Sequence, residues 1–244
     1  MASQACCNVP PKGGPAVVSE DQIDQAAGVN LYVFGDRSAK RGVVLVYDIF
    51  GLYQQTKQGA ALLAKELDCL VIIPDFFNGE AANLEWVGMD TDEKRNKMMG
   101  FFVEKANPEK NLATLISVTN EAKSLYTTVE KWAVLGLCWG GKLAALASAG
   151  PTLFVASGQA HPSLLEVADA KAMSIPHICL VSPDEPVDIL KPYEEALPAN
   201  SELELYGTMF HGWMGARANL EDEENTREFI RGYKQVAAFF KPLL

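Results

Sequence analysis

The sequence predicts an α/β fold in which a mostly parallel central sheet is flanked by helices on both faces. Two observations lead to this prediction. Short runs of apolar, β-branched residues recur along the chain, and such runs are typical of strands buried on both faces. Stretches with helical spacing of apolar residues separate them, and this alternation favours a parallel sheet. In such sheets ligands bind beyond the carboxyl ends of the strands, so the residues after each strand are the first candidates for a site.

The first elements alternate between strand and helix. Residues 29–34 predict a short edge strand, and the β-branched run at 42–47 predicts a strand buried on both faces. A helix is expected at 55–67, where Ala and Leu recur at helical spacing. A second buried strand is expected at 70–73, and Pro74 ends it because proline lacks a backbone N–H.

The same alternation continues to the end of the chain. Residues 91–128 predict two helical stretches, and a third buried strand at 132–135 leads into a helix of small residues at 140–149. The remaining predicted elements are strands at 153–157, 177–181 and 202–206 and an amphipathic helix at 219–240. Residues 28–244 are therefore interpreted as one domain. Residues 1–27 are interpreted as a poorly ordered lead-in, because the first 20 residues are rich in Pro, Gly and Ser.

Composition excludes several classes of function. The 244 residues suffice to bury a core without a disulfide or metal staple. The formal charge of −10 argues against binding to nucleic acid or to an anionic membrane, since both need a basic surface. No apolar run approaches the roughly 20 residues that a membrane helix needs. We expect no cofactor, no metal and, in solution, a monomer or a weak homodimer.

The five cysteines are an odd number and show no paired metal spacing, which favours a reducing compartment. The first residues lack the basic start and apolar core of a secretory signal, so a cytoplasmic location is expected. Cys69 and Cys179 lie in apolar runs and are interpreted as packing residues. Cys6 and Cys7 are expected to form a solvated pair, with metal binding or cross-linking as the alternatives.

The strongest local signal is the segment Gly136-Leu-Cys-Trp-Gly-Gly141, which follows a predicted strand and precedes a helix. This is the context of the G-x-S-x-G nucleophile elbow of the α/β-hydrolase fold, with Cys138 in place of Ser. Glycines leave room for the tight turn, and the helix N-terminus favours a thiolate and an oxyanion. Cys138 is therefore the candidate nucleophile, and a buried structural cysteine is the alternative.

A nucleophile needs a base, and the base needs a group that orients it. In the α/β-hydrolase fold these follow the nucleophile in the order acid, then histidine. His211, after the last predicted strand, is the candidate base, and Asp184, after the strand before it, is the candidate orienting acid. Glu185 is held in reserve because it is adjacent. His177 opens a strand and is interpreted as structural.

Other residues after strands are predicted to complete the site. The backbone N–H groups of Ile49 and Trp139 are the candidate oxyanion donors. Asp48 is expected either to contact the thiol or to cap the following helix, and Tyr53 and His161 are expected to line the pocket. The aromatic and Met-rich stretch at 86–102 is interpreted as core packing, with a lid over the pocket as the alternative.

Four motifs together resemble the dienelactone hydrolases (carboxymethylenebutenolidases), and Cys6-Cys7, Ala160-His-Pro-Ser163 and the segment 210–217 resemble the eukaryotic, fungal and plant-type branch of that family. The four motifs are Asp48-Ile-Phe-Gly51, Pro74-Asp-Phe-Phe-Asn-Gly79, the elbow, and His211-Gly-Trp213. The resemblance implies a triad of Cys138, Asp184 and His211, with Asp48 against the thiol. It also implies substrate contacts from Trp213 and Arg217. Bacterial members grip a substrate carboxylate with two arginines, of which Arg217 is the first candidate here and Arg95 a weak candidate for the second.

We therefore expect a cysteine-dependent hydrolase that cleaves a small ester or lactone through a thioester. The alternatives are an acyl transferase that uses the same elbow, and a non-catalytic ligand-binding protein on the same fold.

Overall fold

The computed structural model describes residues 22–244, which form an eight-stranded sheet with helices on both faces. The strands are β1 (Gln22–Ala26), β2 (Val29–Gly35), β3 (Arg41–Val46), β4 (Leu70–Pro74), β5 (Lys131–Leu137), β6 (Ala156–Ala160), β7 (His177–Val181) and β8 (Glu202–Leu205). The helices are α1 (Gln54–Leu67), α2 (Asp92–Glu104), α3 (Pro108–Leu125), α4 (Trp139–Ala147), α5 (Val167–Ala172), α6 (Val187–Ala196) and α7 (Glu223–Phe240), with a 3₁₀ helix at Leu84–Trp86. The predicted fold class, an α/β-hydrolase fold, is confirmed.

The strand order is β1-β2-β4-β3-β5-β6-β7-β8, and the pairs from β4 to β8 are parallel. In the centre of the sheet Val44 of β3 lies between Ile72 of β4 and Val134 of β5. Strands β1 and β2 run antiparallel at one edge. The carboxyl ends of β3, β5, β6, β7 and β8 therefore meet at one edge of the sheet, and the loops after them share a surface.

Helix packing brings the last helix over the sheet. Helices α1 and α7 lie side by side, and Tyr233 of α7 fills the space above Gly59, where an added Cβ would lie 2.1 Å from the tyrosine hydroxyl. The end of α7 reaches β6, since Phe240 lies 3.4 Å from a Cβ built on Gly158. Helix α4 packs on β5 and β6, so the turn before α4 is fixed from both sides.

Several sequence predictions need correction. The lead-in was expected to extend to residue 27, but Gln22–Ala26 form β1, whose mostly exposed residues give no buried strand pattern. Because β1 pairs with β2, the strand at Val29–Gly35 is not an edge strand. The strand expected at 153–157 lies instead at Ala156–Ala160. Helices α5 and α6 were not predicted, and α6 contains Pro192, a residue that usually ends a helix.

Cys6 and Cys7 lie outside the described residues. Within residues 22–244 no helix has the length and apolar character required to cross a membrane.

Candidate active site

The elbow after β5 has the geometry that its glycines predict. Cys138 has a φ of 53°, in the left-handed region, and links the end of β5 to the first residue of α4. A Cβ on Gly136 would lie 2.0 Å from the carbonyl oxygen of Gly140, and a Cβ on Gly140 would lie 2.3 Å from that of Val46. Both contacts are with backbone, so a larger residue at either position would displace the turn. The glycine spacing therefore holds the Cys138 side chain above the sheet.

His211 lies beside the Cys138 thiol. Its Nε2 atom is 3.2 Å from Cys138 Sγ, within hydrogen-bonding distance for sulfur, although 73 residues separate them in sequence. The turn that holds His211 is clamped by Arg217, whose Nη1 atom donates to the His211 carbonyl oxygen at 3.2 Å. Both side chains of the pair are buried, so water does not screen their interaction.

Glu185, not Asp184, is the carboxylate on the imidazole. His211 Nδ1 lies 2.7 Å from Glu185 Oε1, and the second oxygen of Glu185 accepts from the backbone N–H of Ser182. Asp184 instead accepts from the backbone N–H of His211 at 2.8 Å. The prediction of Asp184 as the orienting acid is therefore wrong, and the reserve residue takes its place. In this turn the longer Glu side chain reaches the ring, while Asp184 reaches only the main chain.

The charges on either side of the His211 ring, on Cys138 and Glu185, favour a protonated imidazole. Burial by itself lowers the pKa of His211, but the thiolate of Cys138 and the carboxylate of Glu185 outweigh it and raise the pKa well above its usual value. A proton on His211 is thus stabilised from both sides of the ring. The geometry is suited to an imidazolium–thiolate pair, in which Glu185 stabilises the cation.

Asp48 is buried next to the loop that carries His211. Its two oxygens accept from the backbone N–H groups of Phe50 at 2.9 Å and Ala216 at 2.8 Å. Burial and the neighbouring Cys138 charge raise the pKa of Asp48 to about 7, and the two backbone hydrogen bonds oppose that rise. The suggested helix cap is wrong, because the residue that precedes α1 is Tyr53. Asp48 instead joins the loop after β3 to the loop that carries His211.

The two predicted oxyanion donors have backbone N–H groups without a hydrogen bond inside residues 22–244. Trp139 is the first residue of α4, a position whose N–H has no acceptor within a helix. The N–H of Ile49 donates no hydrogen bond within the same range. Ile49 lies in the loop after β3, which neighbours β5 in the sheet. The roles of both groups as oxyanion donors stay predictions.

His161 reaches the site from the end of β6. Its ring is completely buried, and its centroid lies 5.3 Å from that of His211 in an edge-to-face arrangement. Burial lowers the pKa of His161 well below the usual value, and the positive charges of His211 and Arg217 lower it further. The half-buried Tyr53 lies close enough to Asp48 for that carboxylate to help raise its pKa, after the larger effect of burial. Both residues thus lie at the predicted site.

Arg217, Trp213 and Arg95 differ in their positions. The buried Arg217 guanidinium lies over the Phe50 ring, with its Cζ 5.3 Å from the centroid, and also holds the His211 turn. Trp213 is completely buried, stacks on Tyr206 at 4.4 Å and packs against α7. Trp213 thus contributes to the core, and its predicted contact with substrate stays a prediction. Arg95 lies on α2, where its exposed side chain pairs with a neighbouring aspartate and the carbonyl of Met89.

The stretch at 86–102 contributes to packing. Phe101 is buried against Phe77 at 5.1 Å, and Phe77 lies 4.8 Å from the ring of Trp139. The Trp139 indole N–H donates to the carbonyl of Ala106 at 2.8 Å. The core interpretation therefore fits Phe101, which links α2 to the elbow.

Ser163 was missed by the sequence reasoning. Its backbone N–H donates to the Cys138 carbonyl at 3.1 Å, and its hydroxyl is buried without a hydrogen-bond partner among the described residues. Two signals were available, its position three residues after β6 and its place in the Ala160-His-Pro-Ser163 segment that carries the family resemblance.

Comparison with known proteins identifies the family. The model of the dienelactone hydrolase family matches residues 29–244. The chain belongs to this family. An uncharacterised AIM2 family protein of Schizosaccharomyces pombe is 35% identical over 249 residues, which cover 98% of this chain and 99% of that protein. This fungal relative confirms the predicted eukaryotic branch of the dienelactone hydrolase family.

Two further likenesses are more distant. An endo-1,3;1,4-beta-D-glucanase of Zea mays is 27% identical over 175 residues, which cover 70% of this chain and 46% of that protein. The crystal structure of a dienelactone hydrolase from Anabaena variabilis superposes with a TM-score of 0.65 at 13% identity, covering 92% of this chain and 97% of that one. The second comparison supports the same fold for this dienelactone hydrolase family member.

Proposed function

We propose that this dienelactone hydrolase family member hydrolyses a small ester or lactone through a thioester on Cys138. The observation that carries the proposal is the buried line from Cys138 Sγ through the His211 imidazole to the Glu185 carboxylate. A nucleophile, a base and an orienting carboxylate in hydrogen-bond sequence are the parts that acyl transfer requires. Membership of the family supports ester hydrolysis in general terms.

The first step is activation of the thiol. His211 takes the proton of Cys138, and Glu185 stabilises the resulting imidazolium. Cys138 directly precedes α4, and the positive end of that helix favours the thiolate. An ionised Asp48 carboxylate disfavours the Cys138 thiolate, because two negative charges then share a buried site.

The chemistry then proceeds in two acyl transfers. The thiolate attacks the carbonyl carbon, a C–S bond forms, and the carbonyl electron pair moves to the oxygen, which the N–H groups of Trp139 and Ile49 stabilise. Collapse of this intermediate breaks the C–O bond, and the leaving alkoxide or enolate takes the proton from His211. A water molecule, deprotonated by His211, attacks the thioester. The thiolate departs and the acid is released.

The same arrangement favours some substrates over others. Esters and lactones with good leaving groups suit a thiolate, whereas an amide requires strong protonation of its amine. Glycoside hydrolysis needs two carboxyl groups on either side of the scissile bond. Here Glu185 is committed to His211 and Ser182, and Asp48 to two backbone N–H groups, so we do not extend the activity of the maize relative to this chain.

The test is hydrolysis of 4-nitrophenyl acetate and of a dienelactone, together with alkylation by iodoacetamide. We expect Cys138→Ala to lose at least about 10³-fold in kcat/KM, and mass spectrometry to locate alkylation on Cys138 in the wild type. Cys179→Ala is the matched control, since Cys179 is also buried but lies in β7. Full turnover in Cys138→Ala would refute the proposal.

Product analysis separates the alternatives. Added alcohols or amines should not divert the acyl group from water at millimolar concentration, and diversion of most product would identify an acyl transferase instead. Absence of both turnover and Cys138 alkylation would favour a ligand-binding protein.

A further inference from the structure

His161 is the one imidazole of the site that the proposed reaction does not use. It is completely buried, and neither ring nitrogen has a hydrogen-bond partner among residues 22–244. A buried polar group left unsatisfied costs roughly 1–3 kcal/mol, and native proteins keep few of them. By contrast His177, which is also completely buried, has partners on both ring nitrogens, Ser157 at 2.7 Å and Gln159 at 3.0 Å.

The position of His161 is fixed by its backbone. Its N–H donates to the carbonyl of Leu180 at 2.7 Å, and its φ of 39° lies in the left-handed region that non-glycine residues rarely adopt. Strained backbone of this kind is tolerated where the surroundings determine it, and it clusters at ligand sites. The strain turns the end of β6 so that the imidazole lies beside His211.

The imidazole lies next to the base that pairs with the thiol. Its centroid is 5.3 Å from that of His211, whose Nε2 is 3.2 Å from Cys138 Sγ. On its other side, a Cβ built on Gly215 would lie 3.5 Å from His161 Cε1 and 2.5 Å from Asp48 Oδ2. The ring therefore lies between the base and the loop that contacts Asp48, next to the group that pairs with the thiol.

We infer that His161 binds an uncharged oxygen substituent next to the scissile carbonyl, so that the preferred substrates are esters or lactones of 2-hydroxy acids. This inference rests on the proposed function. The positive charges of His211 and Arg217 near the ring disfavour a proton on it. A hydroxyl group can accept from the N–H of a neutral imidazole or donate to its bare nitrogen, so it pairs with the nitrogen that faces it in either tautomer. A carboxylate only accepts, so it pairs only when that nitrogen carries the proton.

The experiment compares two substrates of matched shape. The 4-nitrophenyl esters of lactic acid and isobutyric acid differ by a hydroxyl group in place of a methyl group. Each kcat/KM is divided by the rate of hydroxide-catalysed hydrolysis of the same ester, which removes the intrinsic reactivity of the hydroxy ester. We expect a wild-type ratio of lactate to isobutyrate of about 10–100, the range that follows from leaving a site's polar group unpaired.

Variants then test whether His161 produces that ratio. In His161→Phe the lactate-to-isobutyrate ratio should fall to about 3 or less. His161→Asn should retain a severalfold preference for the lactate ester, because Asn tolerates positive φ and keeps a donor and an acceptor. Ser163→Ala is the control, because Ser163 is a buried neighbour on the same loop and should leave the ratio unchanged. Circular dichroism and thermal unfolding verify that each variant folds.

Each outcome is decisive. A wild-type ratio near one, or a ratio that persists in His161→Phe, overturns the inference while ester hydrolysis itself stands. A preference for the monoester of malonic acid over both test esters also overturns it, because the site would then select a carboxylate. Failure of the wild type to hydrolyse either ester overturns the proposed function and this inference together. If His161→Phe does not fold, the wild-type ratio and the His161→Asn ratio carry the test.

Discussion

Replacement of Glu185 by Gln is the sharpest perturbation of the proposed mechanism. In the wild type Glu185 Oε1 lies 2.7 Å from His211 Nδ1, and the side chains are 1% and 2% exposed, so solvent screening is weak. If the Gln oxygen accepts from Ser182, its NH₂ group faces Nδ1 and selects the tautomer with a proton on Nε2. That nitrogen then cannot take the proton of Cys138.

The expected loss follows from the charge that is removed. Two unit charges about 4 Å apart attract by about 4 kcal/mol at an effective dielectric constant of about 20. At about 1.4 kcal/mol per tenfold, this corresponds to about three orders of magnitude in kcat. Because Glu185 helps to raise the pKa of His211, the thiolate fraction of Cys138 near pH 7 should fall as well.

The assay is the rate of acylation in single turnovers of 4-nitrophenyl acetate, with iodoacetamide alkylation as a function of pH for the thiolate. Asp184→Asn is the matched control, since the amide oxygen still accepts from the backbone N–H of His211. We expect that variant to lose less than about tenfold. The reasoning is refuted if Asp184→Asn loses as much as Glu185→Gln, or if Glu185→Gln stays within tenfold of the wild type.

Two further predictions concern stability. The pKa of Asp48 is about 7 in the folded protein and about 3.9 when unfolded, so its stabilisation is fully present below pH 4 and is lost as the pH rises to 7. The free energy of unfolding of the wild type relative to Asp48→Asn, from urea titrations, should therefore fall between pH 4.5 and 7.5, and a constant difference would contradict the assignment. Gly140→Ala should lower stability by more than about 3 kcal/mol, because its Cβ would lie 2.3 Å from the Val46 carbonyl oxygen. Gly207→Ala, which meets nothing within 4 Å, should change thermal unfolding little.

The sequence predicted best the elements whose surroundings are uniform. The strands at Arg41–Val46, Leu70–Pro74 and His177–Val181 are buried on both faces, so an apolar run identifies each of them within about one residue. Strand β1 was missed because most of its residues face water, and its pairing with β2 buries little apolar surface. An exposed edge strand leaves little trace in the pattern of side chains.

Some residues of the site could also be predicted from the sequence, and others could not. Cys138 and His211 were identifiable because each follows a buried strand, and the elbow requires glycines at fixed spacing. The sequence could not decide between Asp184 and Glu185, because both follow β7 and both carry a carboxylate. Which of them reaches the ring depends on the path of a turn held by Ser182, whose backbone N–H donates to Glu185 and whose hydroxyl oxygen accepts from the backbone N–H of Asp184. A motif records which residues occur together, whether they bind substrate or pack a core, and Trp213 packs against Tyr206 and α7.

The two carboxylates after β7 act on one histidine in different ways. Asp184 fixes its backbone N–H, Glu185 fixes its ring, and Arg217 holds its carbonyl from the opposite side. A histidine held at three points loses little further conformational entropy when it receives a proton, and its Nε2 stays directed at the thiol. This arrangement places several ionisable side chains in the interior, where an unpaired charge is costly. Asp48 therefore takes up a proton near neutral pH, where an ionised carboxylate beside the thiolate would raise the energy of the active pair.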